Sequence, residues 1–342
     1  MIVFTRKMGL FRYIAIVLTG IWFLFPGKAS GAAEQEGKFD VSEVIMHHVL
    51  DDHVWHFFDG HYGTIYLPVI VYSADRGWDV FPSSNFYDES HNLIEYNGYK
   101  LEHNHIFLTD TGKPVLDLSI TKNVAMLFLT ALLLLLIMRT VARSYGANRG
   151  NAPKGLQSFM EPIILFVTEE IIKPNAGPKY QRYTHYLLTL FFFILLGNIL
   201  GLLPGASNLT GNIAVTMVLA IFTFIITNVS GNKNYWSHIF WTPGVPLPLR
   251  IIILPVEIIG IFTKPFALMI RLFAAITAGH IVVLSLLSMA FIFHSYVVGV
   301  GASIFVTLIS LIELLVAGIQ AYVFTLFSSL YIGMATEEHE HH

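Results

Sequence analysis

The strongest constraint on this chain is the length of two apolar stretches near its end, Ile251–Phe293 and Val297–Met334. A helix of about 40 residues is ~60 Å long, whereas the hydrocarbon core of a bilayer is only ~30 Å thick. We therefore expect both helices to tilt steeply, to kink, which Pro255 and Pro265 permit, or to lie partly along the membrane. Composition agrees with lipid as the solvent, because 54% of the residues are hydrophobic and only 13% are charged.

Shorter apolar runs complete an all-α polytopic membrane domain over residues 121–342. We predict five membrane-crossing helices, at about 123–140, 183–203, 212–230, 250–293 and 297–335, and a loop from Asn232 to Pro248. The segment at about 156–173 carries Glu161, Glu169 and Glu170. It is too charged and too short to cross a bilayer, so we predict an interfacial helix on the cytoplasmic face.

Basic residues set the orientation of this domain. Arg139, Arg143, Arg149 and Lys154 directly follow the first apolar run. Clustered Arg and Lys mark the cytoplasmic side, so the first helix runs from outside to inside. Five crossings then place the C-terminus in the cytoplasm.

The N-terminal third has a different composition. Residues 1–33 have a basic start, a short apolar run and a small-residue exit, which predicts a signal peptide; a retained membrane anchor is the alternative. Residues 34–120 are polar, aromatic and rich in histidine, and predict a small α+β domain outside the membrane. Within it we expect a helix at Val41–Phe58, a strand at Thr64–Tyr72 and a hairpin at Lys100–Ser119 that turns at Asp110–Gly112.

Ionisable residues inside the two long stretches are the candidates for function. Each costs at least ~2.5–3.5 kcal/mol to insert at membrane depth. The penultimate stretch contains Glu257, Lys264, Arg271 and His280, and the last one contains Glu313 and Gln320. Lys264 can extend its stem to the interface, and Glu257 is close enough to the beginning of its helix to reach headgroups. Roughly twenty mostly apolar residues flank Arg271 on either side, so its charge has no such route to water.

Helical spacing separates these residues by role. At ~100° per residue, Glu257, Lys264 and Arg271 share one face, and His280 lies on roughly the opposite one. Arginine keeps its proton in proteins, so Arg271 repels cations or attracts and discharges a carboxylate of a partner. His280 and Glu313 can relay protons.

Small residues next to the arginine offer a surface for close packing. Ala274, Ala275, Ala278 and Gly279 leave a groove that another helix backbone can approach. Packing within the chain itself is the alternative use of such residues.

The run from Arg271 to His280 resembles the signature of subunit a of the F-type ATP synthase. Glu257, Glu313, the segment Gln320–Phe324 and the ending Tyr331–Ala335 are similar to the family as well. The resemblance covers roughly residues 120–340. It implies the membrane stator subunit of a bacterial inner-membrane ATP synthase, enlarged by the exported N-terminal domain.

The resemblance also implies a role for each matching residue. Arg271 corresponds to the essential arginine facing the ring of c subunits, Glu257 to an acidic residue of the cytoplasmic half-channel, and Gln320 to a polar partner of the arginine. His280 and Glu313 correspond to an acid–imidazole couple in the half-channel open to the outside, and Lys264 is supporting. Two positions depart from the family: Ala275 replaces the usual asparagine and Ala267 a frequent serine.

The implied partners are the c-subunit ring, the b-subunit peripheral stalk, the remaining ATP synthase subunits and the lipid bilayer. The net charge of −3 gives no reason to expect nucleic acid. Without cysteine or a Walker-type loop, we expect no cofactor, no metal site and no nucleotide chemistry on this chain.

Three alternatives stay open from the sequence. Sodium is the rival ion, because its site would lie mainly on the c subunit. A secondary transporter is a second class, although the chain shows no internal repeat. A sensory or metal-binding receptor is a third, suggested by a histidine group in the exported domain: His47, His48, His53, His56 and His61. We expect these histidines to serve the surface and packing.

Overall fold

The structure is a computed structural model. It describes residues 51–56, 64–74, 76–88, 92–102, 104–147, 152–203, 205–241, 246–293 and 295–337. The predicted signal peptide at residues 1–33 lies outside them, and so does most of the predicted helix at Val41–Phe58.

The described part of the N-terminal region consists of short antiparallel strands around one core. The strands are β1 (Val54–His56), β2 (Thr64–Tyr66), β3 (Pro68–Ser73), β4 (Gly77–Pro82), β5 (Tyr99–Glu102), β6 (His105–Leu108) and β7 (Leu116–Asp117). They form the pairs β1-β2 and β5-β6 and the three-stranded sheet β4-β3-β7. Val69, Val71, Phe81, Phe86 and Tyr99 are buried between the sheet and the β5-β6 hairpin. The strand predicted at Thr64–Tyr72 is present, divided between β2 and β3.

The helix predicted at Val41–Phe58 is wrong over Val54–His56, where the chain forms β1. Val54 pairs with Tyr66 and His56 with Thr64. Aromatic and β-branched residues fit a paired strand. The partner strand, Thr64–Tyr66, lies outside the segment whose helical spacing led to the prediction. The described residues of this region contain strands and a 3-10 turn at Ser83–Phe86, which confirms the β part of the α+β prediction; most of the predicted helix lies outside them.

The hairpin predicted at Lys100–Ser119 contains two turns instead of one. β5 and β6 pair directly, with Glu102 opposite His105 and Asn104 in the left-handed region at φ 64°. The predicted turn at Asp110–Gly112 follows β6, where the Gly112 N–H donates to the Leu108 carbonyl at 2.8 Å. The chain then leaves β6 and pairs as β7 with β3, because Leu116 and Asp117 are opposite Tyr72 and Val71.

His53, before β1, contacts Asp117 in β7 and so joins the first and last described parts of this region. Its Nε2 lies 3.0 Å from Asp117 Oδ2, and the imidazole is buried. Burial raises the pKa of Asp117, but hydrogen bonds with His53 and Ser119 outweigh it and hold that pKa below its usual value. His53 therefore belongs to a structural pair with Asp117.

The N-terminal region is attached directly to the membrane helices. Trp55 Nε1 donates to the Gly205 carbonyl at 2.7 Å. Trp55 and Leu67 also pack with Met126 and Leu209. The carboxylate of Asp51 accepts from the Asn123 N–H at 3.2 Å and from the Thr121 hydroxyl at 2.8 Å, so it satisfies donors at the beginning of the first membrane helix.

The membrane domain consists of the following helices: α1 (Lys122–Ala147), α2 (Leu156–Phe166), α3 (Lys173–Ala176), α4 (Tyr180–Gly201), α5 (Ile213–Val229), α6 (Lys233–Phe240), α7 (Leu247–Phe293) and α8 (Tyr296–Thr336). The predicted helices are present with ends within a few residues, except that α1 is seven residues longer at its end, at Ala147 instead of 140. The loop predicted from Asn232 to Pro248 is wrong over Lys233–Phe240, which forms α6.

Four described helices, α1, α4, α7 and α8, are long and apolar enough to cross a membrane. Helix α5 has 17 residues and is therefore ~26 Å long at 1.5 Å per residue. It is long enough to count as a membrane-crossing helix only when it is taken together with α6, and the two helices are bent by 102° relative to each other. Helix α7 has 47 residues and α8 has 41. Helix α7 continues through Pro255 and Pro265 as one element, while its steep tilt stays a prediction.

The segment predicted as an interfacial helix packs into the end of the helix bundle. A π-helical stretch, Val167–Ile172, joins α2 to α3, and its Val167, Ile171 and Ile172 are completely buried. Ser329 of α8 donates to the carbonyls of Ile171 and Ile172 at 3.5 and 3.3 Å. A side chain inserted into a helical ladder is a known cause of such irregularity. Gly333 of α8 then lies directly on the Asn175 carbonyl, where a Cβ would be only 1.9 Å away.

We expect Gly333→Ala to destabilise the protein, because the overlap is with backbone that cannot rotate away. Overpacking of this kind costs about 1–3 kcal/mol or more. Gly301→Ala is the matched control on α8, since a Cβ there meets nothing within 4 Å. Thermal aggregation of the detergent-purified chain should begin at a lower temperature for Gly333→Ala, and equal midpoints for the two variants would contradict the close packing.

Candidate ion path

Helices α7 and α8 pack antiparallel, and three basic side chains of α7 each meet a residue of α8. Lys264 Nζ is 5.4 Å from the centroid of the Tyr331 ring. Arg271 Cζ is 4.4 Å from that of Phe327. His280 Nδ1 is 3.8 Å from Glu313 Oε1. The residue numbers rise along α7 as those of the α8 partners fall, so the three contacts lie at successive depths of one helix pair.

Burial along α7 explains how both sides of the helix reach α8. Leu268, Leu272 and Ile276 form the buried stripe. Leu272 lies ~100° around the helix from Arg271, and His280 lies ~80° further in the same direction. The cation and the imidazole therefore flank the stripe, and both side chains are long enough to reach α8 from their own side.

The small residues of α7 divide between two uses. Ala267, Ala274 and Ala278 are exposed on the side away from the buried stripe. Gly279 instead packs against Glu313, whose Oε1 would lie 3.1 Å from a Cβ on that glycine. The outward alanines leave α7 smooth beside Arg271, whereas the missing side chain at Gly279 makes room for the buried carboxylate.

Arg271 is partly buried at the edge of the outward alanine surface. Its Nη1 is enclosed and has no hydrogen-bond partner among the residues that the structure describes. Gln320, expected near it from the family resemblance, forms no hydrogen bond to any described residue either. An enclosed donor without an acceptor is costly and indicates either strain or a role in binding. The guanidinium is instead held against the Phe327 ring.

Glu313 is the most deeply buried acidic side chain of this helix pair, at 5% exposure. Its Oε1 has no hydrogen-bond partner in the described parts of the chain. The distance of 3.8 Å to His280 Nδ1 allows an ionic interaction but is too long for a hydrogen bond. The two groups can exchange a proton through one water molecule or a small movement of the imidazole.

Glu257 lies at the other end of this series, near Lys264 and Tyr235 of α6. Its charge acts on both groups, although it forms no ion pair within 4 Å with Lys264. A cleft of about 250 Å³, part of it open to the surroundings, lies beside them. Its polar lining comprises Thr223, Thr227 and Asn228 of α5, Tyr235 of α6, Lys264 of α7 and Tyr331 of α8.

Polar residues outside the long helices contribute to the same region, and the sequence interpretation missed them. Asn198 of α4 is 2% exposed, donates to the Ala317 carbonyl at 3.2 Å, and accepts from Thr210 at 2.6 Å. Ala317 is one turn along α8 from Glu313. In the sequence, this residue could have been recognised as the only asparagine in the apolar run of α4.

A separate series of hydroxyl groups links three helices near the cleft. Tyr186 of α4 and Thr223 of α5 are 2.8 Å apart, and Thr223 is 3.3 Å from Ser328 of α8. Thr223 also lines the cleft beside Lys264. Single hydroxyl residues in apolar runs carry little signal by themselves, since they bond equally well to their own helix backbone.

The histidines of the N-terminal region form no metal centre in the parts of the chain that the structure describes. His47, His48 and His61 lie outside those parts, and the described residues contain no group of three or more His, Asp or Glu that could hold a metal ion. His53 is paired with Asp117.

A family model described as ATP synthase A chain matches residues 124–333, which contain every site residue discussed above. The chain belongs to this family. It is 40% identical over 325 residues to ATP synthase subunit a 2 of Chlorobaculum tepidum, covering 92% of this chain and 80% of the relative. It is 46% identical over 231 residues to ATP synthase subunit a of Chloroherpeton thalassium, with 66% and 69% covered.

The resemblance drawn from Arg271–His280 is thereby confirmed at the level of the family, and the protein is a membrane protein of the ATP synthase complex. A second family model, described only as a domain of unknown function, matches residues 44–126. Its extent corresponds to the N-terminal region together with the beginning of α1.

We expect Gly279→Ala to impair proton transport through its effect on Glu313. A Cβ there would lie 3.1 Å from Oε1, closer than ordinary van der Waals contact, so the buried carboxylate must shift by a few tenths of an ångström relative to His280. Proton pumping driven by ATP in inverted membrane vesicles should fall several-fold, while Gly260→Ala on the same helix, where a Cβ meets nothing within 4 Å, should keep the full rate. Equal rates in the two variants would show that the position of Glu313 is not critical.

Proposed function

We propose that this chain is the proton-translocating subunit a of an F-type ATP synthase, in which two half-channels meet at Arg271 against a rotating ring of c subunits. The chain is a non-catalytic subunit, so ATP is formed elsewhere in the complex. The observation that carries the proposal is the partly exposed guanidinium of Arg271, which lies beside the outward alanines and forms no ion pair with any carboxylate that the structure describes. A carboxylate presented by a neighbouring ring would pair with the exposed edge of that guanidinium.

The depths of the proton carriers support two separate half-channels. Glu257 lies 14 residues before Arg271 and His280 lies nine residues after it. At 1.5 Å per residue these separations are ~21 Å and ~14 Å along α7. The basic residues after α1 place the beginning of α7 towards the cytoplasm. Glu257 and the polar cleft then belong to the cytoplasmic side, and His280 with Glu313 to the outer side.

Each group has one task in the proposed cycle. A proton enters from outside, passes the His280–Glu313 couple and neutralises a carboxylate of the c ring, which can then turn into lipid. On completing the turn, the carboxylate releases its proton past Glu257 and pairs with Arg271. The guanidinium cannot give up its own proton, and its charge repels a proton that would pass directly between the half-channels. The free energy available is roughly 2.3 kcal/mol per charge per 100 mV.

The remaining assignments follow from the family and the orientation. The peripheral stalk of b subunits and the other subunits would hold this chain stationary against the ring in the bacterial inner membrane. The N-terminal region would lie in the periplasm, following a cleaved signal peptide, and the C-terminus in the cytoplasm.

We expect Arg271→Ala to abolish coupled ATP synthesis, because it removes both the counter-charge and the barrier. The measurement is ATP synthesis by membrane vesicles energised by an acid–base transition, normalised to the amount of assembled complex. Arg182→Ala is the matched control, since Arg182 is an exposed arginine in the first turn of α4 that lies over the ring of its neighbour Tyr183. Synthesis by Arg271→Ala at the rate of this control would refute the proposal.

The coupling ion can be tested in the same vesicles. We expect an acid–base transition in nominally sodium-free buffer to drive synthesis fully, because a pair of imidazole and carboxyl groups such as His280 and Glu313 is suited to carry protons. A strict requirement for added sodium would assign the ring to that ion instead.

A further inference from the structure

The support of Arg271 is unusual because the groups nearest to it on its own helix are apolar. The positions four residues before and four residues after it are Ala267 and Ala275, so neither adjacent turn of α7 offers an acceptor. Gln320 of α8 is not hydrogen-bonded to it, and Nη1 has no partner in the described parts of the chain. The contact that holds the guanidinium is the face of the Phe327 ring, 4.4 Å from Cζ.

The Phe327 ring is itself held in place from one side. Tyr331 lies one turn further along α8, and the two ring centroids are 6.0 Å apart with planes tilted by 41°. The Tyr331 ring in turn carries Lys264 at 5.4 Å. Lys264 and Arg271 of α7 therefore lie against two aromatic rings of α8 that are one turn apart and in contact with each other.

An aromatic face supports a guanidinium in a different way from a hydrogen-bond acceptor. The attraction acts between the positive charge and the electron-rich face of the ring, and it is strongest where water is excluded. The N–H donors lie in the guanidinium plane, so a contact with the face of that plane leaves the donors on its exposed edge free for a carboxylate. An amide or carboxylate acceptor would fix the position of the side chain only by occupying one of those donors.

We propose that Phe327 is the positioning residue of Arg271: its ring face holds the guanidinium at the depth where it meets a ring carboxylate, in place of a polar group on the adjacent turn of α7. This inference rests on the proposed function, because it concerns how the stator arginine is held. Phe327 takes no part in proton transfer, and it acts through the orientation of Arg271.

The test compares substitutions at 327 that keep or remove the aromatic face. Phe327→Leu keeps an apolar side chain without a ring, whereas Phe327→Tyr and Phe327→Trp retain the face. We expect Phe327→Leu to lower the rate of coupled ATP synthesis per assembled complex by about tenfold, and the two aromatic variants to stay within about threefold of the unsubstituted protein. Phe305→Leu is the matched control, since Phe305 is exposed on the same helix far from Arg271.

A second-site rescue separates positioning from packing. Residue 275 is one turn from Arg271 on the same face of α7, so an asparagine there can reach the guanidinium with its amide oxygen. We expect Ala275→Asn to restore most of the synthesis that Phe327→Leu loses. A packing defect on α8 would not be repaired by an amide on α7. Assembled complex is quantified by immunoblot in every variant, so a failure of assembly is distinguished from a failure of coupling.

Three results would overturn the inference. One is a Phe327→Leu protein as active as Phe305→Leu, the second is equal loss in the leucine and both aromatic variants, and the third is absence of rescue by Ala275→Asn. In each of these cases Arg271→Ala would still lose coupling, so the proposed function would stand. If Arg271→Ala itself retained coupling, the proposed function would fall, and the role of Phe327 with it.

Discussion

The arrangement of this site depends on one guanidinium that is partly buried among apolar helices. Arg271 cannot lose its charge, so the chain must either pair it, bring water to it or place it where a partner supplies the missing acceptor. Within the described residues no acceptor reaches Nη1. The long antiparallel packing of α7 and α8 supplies an aromatic face instead, and the alanines beside the arginine keep the outward surface open for close approach by another helix.

The proposed proton carriers are arranged around that fixed charge by glycine and by polar residues of the shorter helices. Gly279 leaves the space into which the Glu313 carboxylate fits, and Asn198 of α4 bonds to the α8 backbone one turn away. On the other side of Arg271, the cleft beside Lys264 is lined by residues of four different helices. The two polar regions lie on opposite sides of Arg271 along α7, as the proposed pair of half-channels requires.

The N-terminal region is joined to this membrane domain by specific contacts at the beginning of α1. Trp55 bonds to the segment between α4 and α5, and Asp51 satisfies donors at the first turn of α1. The N-terminal region thus packs on the beginning of α1 and on the segment between α4 and α5. Local periodicity failed in this region, at Val54–His56 and again at the two turns of the predicted hairpin, because short strands are specified by their partners and not by their own sequence.

The sequence by itself determined the membrane helices and the candidate site, since charge in a long apolar run is expensive and is recognisable without any contact information. Glu257, Arg271, His280 and Glu313 were all identified on that ground, and helical spacing placed Arg271 and His280 on different sides of α7. Only the tertiary structure showed that the Phe327 ring lies against the arginine, that Gly279 accommodates Glu313, and that Asn198 joins the polar region. A phenylalanine, a glycine or a single asparagine in a hydrophobic helix is ordinary in sequence, and its role arises from what the opposite helix places against it.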